Sequence, residues 1–128
     1  MAAFASSSKF PPQVHHTCTV NGVDTDIVST VYSDRVFVHI TQIGKFGTFL
    51  KAWAEPRSEG GLVYQVSTVM GKRDDPLLHI YARQIIERLS THMDKPLLLA
   101  ISLKPDSRDT ETFQTILNEL FQHNAWNL

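Results

Sequence analysis

The feature that most constrains the fold is a change in hydrophobic periodicity about half-way along the chain. From Val14 to Met70 apolar and polar residues mostly alternate, which is the pattern of β-strands whose two faces meet different surroundings. After Asp74 the apolar residues recur every three or four positions, as they do in amphipathic helices. A run of strands followed by helices predicts an α+β fold with a mainly antiparallel sheet, rather than alternating parallel βα units.

Turn signals divide the alternating half of the chain into five strands. Asn21-Gly22 is the strongest short hairpin signal, and a polar loop rich in glycine and charge covers Glu55–Gly61. The strands expected from the alternation are Val14–Val20, Val23–Tyr32, one strand on each side of Gly44–Gly47, and Leu62–Met70.

The stretch Arg35–Leu50 is expected to form a long hairpin at the centre of the sheet. Its first part places Val36, Val38 and Ile40 on one face, and Phe37, His39 and Thr41 on the other. Gly44 and Gly47 then bracket Lys45-Phe46, and glycine adopts turn conformations that other residues avoid. The alternation resumes at Thr48, so the pattern predicts strand, turn and strand.

The second half of the chain predicts two helices with a strand between them. Asp74 or Asp75 is expected to cap a helix that has Pro76 at its first position and runs to about His92. The predicted buried stripe of this helix is Leu78, Ala82, Ile85 and Leu89, widened by Leu77, Ile80 and Tyr81.

Leu97–Leu103 is apolar on both faces, which is typical of a central strand. Asp109 is expected to cap the last helix, whose predicted stripe is Phe113, Ile116, Leu117, Leu120 and Phe121. The predicted order is βββββαβα, with about six strands packed against two helices.

Length and composition favour one globular domain. The chain has 128 residues, of which 42% are hydrophobic and 20% charged. We expect an Ala/Ser-rich disordered tail over residues 1–12 and a single α+β domain over residues 13–128. The net charge of -1 argues against a nucleic-acid partner, and no apolar run reaches the roughly 20 residues that cross a membrane. A single cysteine, Cys18, favours a reducing compartment, so a cytoplasmic or nuclear location is expected.

No group of residues in the sequence predicts catalysis, cofactor binding or metal binding. Gly44–Gly47 contains a lysine between glycines, but it opens a strand, whereas a phosphate loop opens a helix. His15-His16-x-Cys18 lacks the second pair of ligands that a structural zinc site uses. The alternative from another class is a small nucleotide- or anion-binding protein that uses the Gly44–Gly47 and Gly71–Asp74 loops.

Two motifs resemble a known family. Thr41-Gln42-x-Gly44-Lys45-x-Gly47-Thr48 and Gly71-x-x-x-Asp75-Pro76-Leu77-x-His79, followed by the apolar strand Leu97–Leu103, resemble the proteasome assembly chaperone 3 family over roughly residues 14–125. The resemblance implies a non-enzymatic chaperone that needs no cofactor. It also implies homodimers, heterodimers with assembly chaperone 4, and binding of proteasome α-type subunits during α-ring formation of the 20S proteasome.

Both faces of the predicted central strands carry large apolar side chains, and two helices fill mainly one of them. The second face is therefore expected to pair with another domain. The predicted partner-binding residues are Phe37, Phe49 and Trp53 on that face, with Lys45, Phe46, Lys72 and Arg73 in the two glycine turns.

Overall fold

The computed structural model describes residues 10–127, so most of the predicted tail, residues 1–12, and Leu128 lie outside the described residues. The strands are β1 (Gln13–Val20), β2 (Val23–Val31), β3 (Val36–Thr41), β4 (Thr48–Pro56), β5 (Leu62–Met70) and β6 (Leu97–Ser102). The helices are α1 (Pro76–Leu89), between β5 and β6, and α2 (Thr110–Gln122), after β6. The predicted α+β class and the order βββββαβα are confirmed.

All six strands form one sheet in the order β1-β2-β3-β6-β4-β5. The β3–β6 pair is parallel and every other pair is antiparallel. The predicted hairpin between β1 and β2 is confirmed, because Val20 pairs with Val23 across the turn. Asn21 and Gly22 both have positive φ, 50° and 80°, which is the conformation that this two-residue turn requires.

The predicted central hairpin of β3 and β4 is wrong, because β6 lies between these two strands. Leu99 of β6 pairs with Val38 on one side and with Leu50 on the other. Residues 42–47 cross the end of β6 instead of closing a tight turn. A strand that is apolar on both faces is best placed in the middle of a sheet, and β6 takes that place.

The two helices cover one face of the sheet and enclose the core. Helix α1 packs on β4, β5 and β6, and α2 packs near β1. Five strands contribute fully buried side chains to one layer of the core, and the two helices contribute the other layer. The fully buried side chains include Ile27, Val38, Ile40, Leu50, Leu99 and Ile101 from the sheet, and Ile85, Leu89, Ile116 and Leu120 from the helices. In the part of the chain that the structure describes, no helix is long and apolar enough to span a membrane.

Helix α1 differs from its prediction at both ends. Asp75 occupies the N-cap position, but its side chain makes no capping hydrogen bond and accepts one from Arg108 in the loop before α2. The helix ends at Leu89, before the predicted end near His92. Ile80 is 47% exposed, so it does not belong to the buried stripe as predicted. The stripe of Leu78, Ala82, Ile85 and Leu89 is confirmed.

Helix α2 begins as predicted, because the Asp109 carboxylate accepts a hydrogen bond from the Thr112 backbone N–H at 3.1 Å. Phe113 is only partly buried, and its ring packs edge-on against Tyr81 of α1 with 4.7 Å between centroids. Trp126 is buried beyond the end of α2 and closes this side of the core.

Candidate functional site on the helix-free face of the sheet

The sheet face opposite the helices carries apolar side chains on its central strands. Strand register sets two rows across it. In one row Phe37 is opposite Leu98, which is opposite Lys51; in the other His39 is opposite Ala100, which is opposite Phe49. Because β6 separates β3 from β4, the predicted residues Phe37 and Phe49 share this face across an intervening strand.

Phe46 from the segment 42–47 folds over the same face. Its ring centroid lies 4.7 Å from that of His39, 5.6 Å from that of Phe49 and 6.5 Å from that of Phe37. We call these four residues, Phe37, His39, Phe46 and Phe49, the aromatic cluster. Phe46 is 53% exposed and the other three are partly exposed, so the cluster presents ring faces and edges to the outside.

Hydrogen bonds fix the backbone that carries Phe46. The Thr41 hydroxyl oxygen accepts from the backbone N–H groups of Ile43, at 3.2 Å, and Gly44, at 2.8 Å. The Lys45 carbonyl accepts from the Ser102 hydroxyl at 2.6 Å and from His39 Nε2 at 3.2 Å. Since a carbonyl only accepts, His39 must carry its proton on Nε2 in this contact. The aromatic cluster is therefore held in place by the strands beneath it.

Trp53 lies on the same face, further along β4, and outside the aromatic cluster. Its indole N–H donates to Glu55 at 2.7 Å, and the Lys51 ammonium is 5.5 Å from the centre of its ring. An ammonium near an indole face is a favourable cation–π arrangement.

Polar groups border the aromatic cluster on the side of the β2–β3 turn. Arg35 and Asp34 form an ion pair at 2.9 Å, and the hydrogen bond from Arg35 lowers the pKa of the Asp34 carboxyl. Both residues also line shallow grooves that continue to Phe49 and Leu98. An apolar centre with a charged border is the usual anatomy of a protein–protein interface.

The two glycine turns that carry the remaining predicted residues lie side by side. The Lys72 N–H donates to the Thr48 hydroxyl at 3.2 Å, next to Gly47. Arg73 donates to the Thr68 carbonyl at 3.3 Å, so its guanidinium is directed to the end of β5. Lys45 and Lys72 are exposed. The structure thus brings both turns to one end of the sheet.

This geometry does not support the alternative of a phosphate-binding loop. The N–H groups of Gly44 and Lys72 already bond to threonine hydroxyls, so the turns do not present them to an anion. Residues 42–47 lead into β4 and not into a helix.

The sequence pattern placed His39 on the same face as Phe37, but it did not identify His39 or Leu98 as part of the partner-binding surface. For Leu98 a signal was present, because the strand Leu97–Leu103 is apolar on both faces and must show one of them to each side of the sheet. For His39 the alternation gave the correct face, but its contact with Phe46 depends on the strand order, which local periodicity does not indicate.

Comparison with known proteins identifies the family. The chain matches the family model of Proteasome assembly chaperone 3 over residues 38–123. A proteasome assembly chaperone 3 from Nematostella vectensis is 32% identical over 128 residues, which cover 92% of this chain and 93% of the relative. The chain belongs to the proteasome assembly chaperone 3 family.

Other relatives agree with this assignment. The Bos taurus proteasome assembly chaperone 3 is 34% identical over 98 residues, which cover 73% of this chain and 78% of that protein. A chain from a crystal structure described as a novel chaperone complex for yeast 20S proteasome assembly has the same fold, with a TM-score of 0.68 at 16% identity. That match covers 88% of this chain and 97% of the yeast chain. The part matched by the proteasome assembly chaperone 3 model includes every residue of the aromatic cluster except Phe37.

Proposed function

We propose that this chain is a non-enzymatic assembly chaperone for the 20S proteasome. In this proposal it pairs with assembly chaperone 4 through the helix-free face of its sheet, and the pair binds α-type subunits during α-ring formation. Membership of the proteasome assembly chaperone 3 family supports the assembly role. The observation that carries the pairing surface is the exposed aromatic cluster on a sheet face that the chain's own helices leave bare.

The exposed apolar area of this face favours pairing. Burying apolar surface is favourable by roughly 25 cal/mol per Å², and large contiguous apolar patches on soluble proteins usually mark interaction sites. Phe46, 53% exposed, and Tyr32, 43% exposed, line the same groove as Phe37 and Phe49. A sheet from a like-folded domain would cover all four side chains at the usual sheet-to-sheet spacing of about 10 Å.

The same face also serves a homodimer in this proposal. A two-fold axis through the aromatic cluster would place each Phe46 against the partner's sheet and would close the assembly at two chains. Chaperone 4 then replaces one copy of this chain to form the heterodimer. No part of the proposed role requires a cofactor or a metal.

Affinity purification of the chain from extract of its own cells, followed by mass spectrometry, tests the proposed role. The wild-type chain should recover proteasome α-type subunits together with assembly chaperone 4. Phe49→Asp should lose chaperone 4, because it buries a charge at the centre of the pairing surface. Ile80→Asp is the matched control, since Ile80 is an exposed apolar residue on the outer side of α1, and it should keep chaperone 4. A wild-type chain that recovers no proteasome subunit would contradict the assembly role.

We also propose a cytoplasmic location that extends to the nucleus. The lone Cys18 supports it, because a chain without an internal disulfide suits reducing compartments. Fluorescence microscopy of the tagged chain in its own cells tests this, and accumulation in a secretory compartment would contradict it.

A further inference from the structure

A second group of polar side chains lies on the other side of the molecule, between β1 and α2. His16 and Cys18 are two residues apart on β1, so they point to the same face, which here is the face toward α2. Glu119 of α2 reaches the same point. One donor atom from each of the three residues lies within 4.8 Å of the other two, and all three side chains are partly buried.

The contacts within this group are close. His16 Nε2 and Glu119 Oε1 are 2.7 Å apart. His123, the C-cap residue at the end of α2, stacks its ring on that of His16 with 3.9 Å between centroids and 15° between planes. The imidazole of His16 is thus oriented by one contact at its nitrogen and another at its ring face. The sequence reveals only His16 and Cys18, because Glu119 follows them by about a hundred positions.

We propose that His16, Cys18 and Glu119 form a binding site for a divalent transition metal, with zinc as the matching ion. An imidazole nitrogen, a thiolate sulfur and a carboxylate oxygen are the three donor types that zinc uses in proteins. Calcium and magnesium prefer sites made only of oxygen, so the sulfur and nitrogen select against them. Three protein ligands leave the fourth tetrahedral position for water or for a side chain of a binding partner.

Metal binding requires the Cys18 thiol to lose its proton. Burial, followed by the negative charge and hydrogen bond of Glu119, raises the pKa of the Cys18 thiol. A divalent cation among the three donors acts in the opposite direction, because it stabilises the thiolate. On binding, the thiol proton leaves to solvent and His16 binds as neutral imidazole.

Binding would also connect two elements that meet only at the edge of the fold. β1 is an edge strand, and α2 follows it by about ninety residues in the chain. A ligand that binds only the folded state stabilises that state by mass action. Zinc should therefore raise the thermal midpoint of the chain and protect β1 amides from exchange.

Titration of the untagged full chain with Co²⁺ and Zn²⁺ tests the site. The wild-type chain should bind one Co²⁺ with a sulfur-to-cobalt charge-transfer band in the near ultraviolet, and Zn²⁺ should displace it. Cys18→Ser should lose the band. His16→Ala and Glu119→Gln should weaken zinc binding at least about tenfold, since even changes to groups behind metal ligands cost that much.

His15→Ala is the matched control, because His15 is the neighbouring histidine on the opposite face of β1 and contacts Asp26 instead. It should bind zinc as the wild type does. Glu119→Gln keeps the shape of the side chain, and circular dichroism without metal checks that each variant is folded. The proposal is overturned by a folded wild type without saturable one-to-one binding in the micromolar range. A charge-transfer band that persists in Cys18→Ser, or equal losses in His15→Ala and His16→Ala, would overturn it as well.

Discussion

At the scale of single residues, two glycines share the same backbone conformation, but different physical constraints favour glycine at each position. Gly44 and Gly47 both have φ of 74°. A Cβ at Gly44 would meet nothing within 4 Å. At Gly47 it would overlap the Ile101 carbonyl oxygen and lie 2.7 Å from the Ser102 Cβ. Gly47 thus allows the segment 42–47 to pass close to the end of β6.

We predict that alanine substitutions at these two positions separate the cost of the positive φ from the cost of the steric overlap with β6. Gly44→Ala should lower the free energy of unfolding by about 1 to 2 kcal/mol, the usual cost of a left-handed conformation for a residue with a Cβ. Gly47→Ala should cost clearly more, because the backbone of β6 must also move. Urea denaturation measures both. Equal losses would mean that the close approach of Gly47 to β6 is unimportant.

Asp109 gives a prediction about pH. The hydrogen bonds from Thr112 lower the pKa of its carboxyl, so its contribution to stability is present above the ordinary pKa of aspartate and is lost as the pH falls through the lowered value. Asp109→Ala should reduce stability at neutral pH. Asp109→Asn should retain much of the cap, because asparagine also caps helices well, but it should lose this part of the acid sensitivity. Denaturation midpoints between pH 7 and pH 3 measure both effects, and an unchanged acid response in Asp109→Asn would contradict the assignment.

At the scale of elements, local sequence predicted which segments are strands and helices but not which strands pair. Asn21-Gly22 admits only a two-residue turn, so the β1–β2 hairpin followed from the sequence. The longer segment 42–47 permits either a hairpin or a crossing, and the choice depends on where β6 inserts. Which strands pair over such a distance is decided only in the folded sheet, so no periodic pattern in the local sequence indicates it.

The two helix starts show the same limit. Asp75 and Asp109 have the same sequence signal for capping, and only Asp109 caps. Asp75 is buried and pairs with Arg108, thirty-three positions later in the chain. A long-range ion pair therefore takes the place of a local capping hydrogen bond. The sequence around Asp75 does not indicate this ion pair.

Helix α2 provides the prediction at this scale. Leu120 is fully buried and Glu111 is exposed on the opposite side of the same helix. Leu120→Ala should cost about 2 to 5 kcal/mol of unfolding free energy, as core truncations do. Glu111→Ala should cost no more than about 0.5 kcal/mol. Phe113→Ala should fall between them, because its ring is only partly buried. Chemical denaturation of the three variants measures the order, and similar costs for Leu120 and Glu111 would mean that the buried side of α2 is misassigned.

At the scale of the whole molecule, the sheet has one closed face and one open face. The alternation of large apolar residues in β3 and β4 predicted an apolar second face, and Phe37 and Phe49 lie there. The position of Phe46 over that face was not predictable from periodicity. It depends on the hydrogen bond that Ser102 of β6 donates to the Lys45 carbonyl, and that bond exists only when β6 is in place.

We propose that the helix-free face pairs with a like-folded chaperone, and sedimentation velocity tests this pairing most directly. The full chain should be measured alone and mixed in equal amounts with assembly chaperone 4, at micromolar concentration. We predict a dimer in both cases for wild type and for Ile80→Asp, whereas Phe49→Asp should sediment as a monomer and fail to join chaperone 4. A folded Phe49→Asp chain that still pairs as the wild type does would contradict the account.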